Sequence, residues 1–211
     1  MTGRFISFEG TEGSGKTSII QAVVKYFQEK QIPVDVTREP GGPRISEKIR
    51  AIILDKSHTE MDALTEAFLF AASRRQHLVQ TILPLLAQNH LVLCDRFVDS
   101  SLIYQGIARN LGIDKVYHIN QIAIEDHFPD LTFFIDVRPE VGLARVFANS
   151  NREVNRLDLE QLEFHQRIYQ GYLDLINQYP HRIKRIDGER SIEAIAADII
   201  NQIETLRQKH E

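Results

Sequence analysis

One octapeptide, Gly10-Thr11-Glu12-Gly13-Ser14-Gly15-Lys16-Thr17, restricts the fold more than any other part of the chain. It has the spacing G-x-x-x-x-G-K-[ST]. The short apolar run Phe5-Ile6-Ser7-Phe8 precedes it, and a segment with Ile19, Val23, Tyr26 and Phe27 at helical spacing follows. A strand that ends in such a loop and re-enters a helix turns backbone N–H groups inward at the positive helix end, forming a nest for phosphate oxygens. The whole octapeptide, Gly10 to Thr17, is therefore expected to hold the phosphates of ATP. Lys16 would reach the β- and γ-phosphates, and the Thr17 hydroxyl would complete the shell of a magnesium ion.

The rest of the chain suits the fold this motif demands. Further β-rich runs occur at Val34–Thr37, Leu91–Cys94, Leu131–Val137 and Arg182–Ile186, separated by longer helical patterns. Alternation of this kind predicts an α/β P-loop fold, with a parallel five-stranded sheet covered by helices on both faces. Residues 63–88 read as one long helix or two, because Pro84 would kink or interrupt it. The 211 residues fit a single domain, and the polar, Asn-rich stretch at about 148–158 reads as a mobile lid.

Composition excludes several other classes. A net charge of -4 leaves no general basic face for nucleic acid, so anionic ligands must be held by local cations. With Cys94 as the only cysteine, no internal disulfide can form. No membrane-length apolar run is present, and the start lacks the apolar length of a signal peptide. Those features predict a soluble, cytoplasmic protein. The eight histidines show no metal-ligand spacing.

A phosphate loop alone does not separate a GTPase switch, a motor and a small-molecule kinase. Neither the D-x-x-G nor the N/T-K-x-D pattern of a GTPase is found. Arg38 follows the second strand and Arg96 the third, at the carboxyl edge of a parallel sheet, where ligands bind. Their planar, permanently charged forks suit a phosphorylated acceptor. Arg74 lies one helical turn from Phe70, so a ring and a donor fork share a face, as a flat heterocycle would require. Asp95, at a strand end, is a candidate for the magnesium shell.

Taken together, the phosphate loop, Thr37-Arg38-Glu39-Pro40-Gly41-Gly42, Phe70-Ala71-Ala72-Ser73-Arg74 and Asp95-Arg96-Phe97-Val98-Asp99-Ser100-Ser101-Leu102-Ile103-Tyr104-Gln105 resemble the thymidylate kinase family. The resemblance covers essentially the whole chain. It implies a nucleoside monophosphate kinase fold, transfer from ATP to dTMP with magnesium, and a homodimer. Carried over by position, Phe70 stacks on thymine while Arg74, Ser101 and Gln105 address its polar edge. Tyr104 lies near the sugar, Glu12 holds it, Arg38 and Arg96 clamp the acceptor phosphate, and Asp95 supports magnesium through water. Gly13 stands where some members carry a catalytic arginine, so the chain resembles the members that supply it from the lid, with Arg152 and Arg156 as candidates. Another nucleoside monophosphate kinase and a non-catalytic nucleotide-binding module are the alternative readings.

Overall fold

Five strands, β1 (Arg4–Glu9), β2 (Val34–Arg38), β3 (Leu91–Asp95), β4 (Leu131–Asp136) and β5 (Ile183–Asp187), lie in the order β2-β3-β1-β4-β5. All their pairings are parallel, so every strand ends at the same edge. This computed structural model describes residues 3–148 and 156–208. Most of the expected lid, Arg152 included, falls outside them. Each strand begins and ends within one residue of its expected bounds.

One sheet face packs on α1 (Lys16–Glu29) and α9 (Ile192–Gln208). There Ile6, Phe8, Leu93, Phe133 and Ile135 meet Ile19, Val23, Phe27, Ile199 and Ile203, all buried. Because strand side chains alternate, the next residues along face the opposite layer. That layer comprises α3 (Ala63–His77), α6 (Ile113–Ile124) and α8 (Leu162–Gln178), with α2 (Arg44–Leu54) packed on α3. It is not wholly apolar. Ser7 Oγ and Thr132 Oγ1 share a hydrogen bond of 2.7 Å across β1 and β4. Buried Asp99 accepts from Thr132 Oγ1 and from both terminal nitrogens of Arg182, at 2.6 and 2.7 Å. Buried polar groups persist when they are paired in this way.

The helical path is not ended by Pro84. α3 runs into a π-helical stretch, Leu78–Ile82, and then into α4 (Leu83–Ala87), with Pro84 in its first turn. Leu83 N–H donates to Leu78 O, five residues back. The wider turn lies where a proline ring would otherwise meet a carbonyl. A second π-helical stretch, Leu102–Ala108, continues α5 (Val98–Ser101) and carries Tyr104 and Gln105 to the sheet edge. Cys94 is buried in the core on β3.

Candidate active site

At the carboxyl edge of β1, the chain turns through the phosphate loop into α1, whose N-cap Gly15 is left-handed. Gly13 has φ +71° and sits against α7 (Pro139–Ala148); a Cβ there would fall 2.1 Å from Gly142 O. The close approach excludes any side chain at position 13 unless α7 moves. An arginine at this place in the loop would therefore require α7 to stand further off. Lys16 Nζ donates to Gly10 O at 3.1 Å, Thr11 O at 3.2 Å and Ser14 Oγ at 3.2 Å.

A cavity of about 500 Å³ opens from this loop towards β2 and β3. Glu12, Gly13, Ser14, Gly15, Lys16 and Thr17 form one end, and Arg38, Phe70, Asp95, Arg96, Tyr104 and Gln105 line the remainder. These residues, expected from the sequence, thus share one chamber. Gly10 and Thr11 lie beneath the loop, Thr11 Oγ1 donating to Val137 O at 3.1 Å. Arg74 and Ser101 stand behind the wall. Arg74 donates from Nε to Glu39 (2.7 Å), from Nη1 to Ser101 Oγ (2.9 Å) and Asn120 Oδ1, and from Nη2 to Phe97 O (3.1 Å). It is only 1% exposed, and most of its fork is committed to the protein. Arg156 also lies away from the phosphate loop, donating from Nε to Ile53 O at 3.0 Å and from Nη2 to Glu66.

The turn after β3 is held in an unusual conformation. Arg96 has φ +70°, rare for a residue with a side chain. Its N–H donates to Phe8 O at 2.9 Å, and the next N–H, of Phe97, donates to buried Glu9 at 2.8 Å. Glu9 also accepts from Ser100 (2.6 Å) and Tyr172 (2.7 Å). Burial, together with the charge of Asp99, pushes the Glu9 carboxyl above its ordinary value. Arg96 then reaches Ser100 Oγ at 3.2 Å and Glu12 at 3.0 Å, with its guanidinium 5.0 Å from the Tyr104 ring centroid.

Glu12 is the hub of the polar contacts that tie the phosphate loop to the turn after β3. Its Oε1 accepts from Arg96 and, at 2.6 Å, from Tyr104, and buried His165 Nδ1 stands 3.3 Å from Oε2. Burial alone would raise its pKa, but His165, Arg96 and Tyr104 hold it well below the carboxylate range. Burial, with Arg96 nearby, pulls the Lys16 ammonium down to about 8. A group depressed on folding binds fewer protons in the folded chain, so Lys16 makes stability rise with pH from about 8 towards its ordinary 10.5. An arriving polyphosphate favours the charged ammonium. Nucleotide binding at about pH 8.5 is therefore expected to take up protons, and binding at about pH 6.5 to take up none through Lys16. Titration calorimetry in two buffers of different ionisation enthalpy reads this directly; a buffer-independent heat at the higher pH contradicts it.

Two cations in this chamber were not found by reading the sequence. Arg145, on α7, lines the cavity and donates to Gly13 O at 3.5 Å. Arg50, on α2, also lines it and donates to Pro40 O at 2.7 Å, just after the cis Glu39–Pro40 peptide. His165 on α8 escaped notice as well, and Glu39 reads only as part of its block, without its buried partners Arg74 and His77. Helical spacing gives residues such as Arg50, Arg145 and His165 no distinguishing signal until the fold brings them to the edge.

Comparison with known proteins agrees with this geometry. The thymidylate kinase family model matches residues 8–199. A thymidylate kinase of Oceanobacillus iheyensis is 54% identical over 211 residues, all of this chain and 94% of that protein. One from Pediococcus pentosaceus is 52% identical over 207 residues, 98% of this chain and 99% of the relative. The crystal structure of thymidylate kinase from Ehrlichia chaffeensis superposes with a TM-score of 0.77 at 31% identity, covering 97% of this chain and 99% of that one. With a phosphate loop facing an arginine-lined chamber and matches extending over almost the whole length, the chain belongs to the thymidylate kinase family of nucleoside monophosphate kinases.

Proposed function

We propose that this protein phosphorylates dTMP to dTDP with ATP, in the cytoplasm. The observation that carries the reading is the single chamber joining a phosphate loop to Arg38, Arg96, Phe70, Tyr104 and Gln105. ATP phosphates lie in the loop under Lys16, with Arg145 over Gly13. The acceptor phosphate meets Arg38 and Arg96, its sugar lies between Glu12 and Tyr104, and its base lies on Phe70 with its polar edge at Gln105. Arg74 and Ser101 support that edge from behind. Catalysis then consists of alignment and charge stabilisation of the moving phosphoryl group, with no covalent enzyme intermediate.

Magnesium fits the donors present. Asp95 Oδ1 is buried without a partner among the described residues, and Thr17 lines the same chamber. No group of three or more carboxylate, His or Cys ligands occurs among the described residues, as suits an ion held mainly by substrate phosphates. Bound there by Thr17 and, through water, Asp95, it would neutralise phosphate charge.

The chain works as one kinase domain whose segment at about 148–158 closes as a lid and brings in an arginine, Arg152 or Arg156. Arg156 donates to Ile53 O and Glu66, which favours Arg152, outside the described residues, for that role. No helix among the described residues is long and apolar enough to cross a membrane. Ile52 on α2, Phe68 on α3 and Ile122 on α6 are large exposed apolar residues on neighbouring helices, and they support a homodimer through that face.

The deciding experiment is a coupled ADP-release assay with ATP, magnesium and each of dTMP, dUMP, UMP, dCMP, AMP and GMP. dTMP is expected to be strongly preferred, with UMP disfavoured because Tyr104 and Glu12 close the space beside the sugar. Preferential turnover of another acceptor would retain the kinase and discard the base assignment. ATP binding without turnover of any acceptor would establish the binding-module alternative.

A further inference from the structure

We propose that Glu66, a buried carboxylate on α3 that does not itself line the cavity, selects the base by fixing which end of the Gln105 amide faces it. The inference rests on the placement of the acceptor base at Phe70 and Gln105 given above. Glu66 and Gln105 are each 1% exposed, and Gln105 Nε2 donates to Glu66 Oε1 at 2.8 Å. Two guanidiniums, Arg109 at 3.4 Å and Arg156, pair with the same carboxylate. A carboxylate so paired offers only acceptors, so the neighbouring amide must turn its NH₂ towards it. The amide oxygen is thereby directed elsewhere.

That oxygen, Gln105 Oε1, is buried and has no partner among the described residues, although the residue lines the chamber. Such an acceptor is costly unless a ligand supplies a proton donor. Thymine and uracil present N3–H; cytosine presents a bare N3 lone pair, so two acceptors would oppose each other. Glu66 thus makes the chamber select pyrimidines with a protonated N3, acting on the base through Gln105 as a positioning residue. Its own place is firm: it lies in the first turn of α3, where Asp62 caps Leu64 and Thr65 and the Glu66 N–H donates to Asp62 O at 2.9 Å.

Glu66→Gln tests this, because an amide at position 66 can also donate and lets Gln105 turn over. Expected is a fall of about tenfold in kcat/KM for dTMP, carried mainly by KM, with a dTMP-to-dCMP preference narrowed about tenfold. The dTMP-to-dUMP ratio should not change, since these acceptors differ only by the methyl group. Parallel losses for all three acceptors would mean that Glu66 is merely structural and would overturn the proposal. Gln105→Leu covers the case in which Glu66→Gln does not fold: alone it should narrow the dTMP-to-dCMP preference, and an unchanged preference overturns the proposal. When both variants fold, adding Glu66→Gln to Gln105→Leu should narrow it no further; additive narrowing also overturns the proposal. A wild-type enzyme without dTMP turnover would refute the functional reading and this inference with it, whereas normal turnover with unshifted preferences refutes the inference alone.

Discussion

Lys16→Ala is expected to lower kcat by about 10²–10³-fold while the protein remains folded. The side chain lies over the loop, donating to two backbone carbonyls and Ser14, and is only 8% exposed. It is the ammonium tied to the phosphate loop itself. Arg145 lines the chamber but is not held over the loop as Lys16 is, its bond to the loop being 3.5 Å to Gly13 O, so it is not expected to replace the ammonium. Stability should be kept, because burial already disfavours this charge and its removal relieves that cost. The coupled assay gives the rate, and thermal unfolding gives the control. Turnover within twofold of the parent would show that phosphate transfer does not depend on this group.

Gly142→Ala is expected to lower kcat/KM for ATP by about 10²-fold. In an exposed helix the same change would stabilise by about 1 kcal/mol. Here the sign reverses. A Cβ at Gly142 would lie 2.1 Å from Glu12 O, so backbone stands on both sides of the collision. The loop cannot yield easily, since Glu12 is tied to Arg96 and Tyr104. α7 must therefore retreat by about 1 Å, a displacement large enough to misalign the transfer. Steady-state kinetics with varied ATP, together with melting temperature, would both fall; unchanged values would mean that α7 moves freely against the loop.

The strands and the phosphate loop were legible because both are local. Apolar runs of four to seven residues announce buried parallel strands, and glycine spacing announces a tight loop ahead of a helix. The edge positions of Arg38 and Arg96 followed from the topology. What could not be read depends on contacts between distant segments. The spacing of Arg74 to Phe70 gives no sign that Glu39, Asn120, Ser101 and Phe97 O take up most of its donors. Arg145, Glu66 and His165 look like ordinary helix residues until the fold places them at the loop, behind Gln105 and against Glu12. The long helix passes Pro84 because a widened turn absorbs it, and apolar periodicity carries no signal for that.

The convergence of Arg96, Tyr104 and His165 on one carboxylate has an evolutionary corollary. Once any one of them is lost, the remaining two no longer serve the same partner in the same geometry, so their separate effects do not add. These four positions form an epistatic set: the cost of changing one depends on which of the other three is still in place.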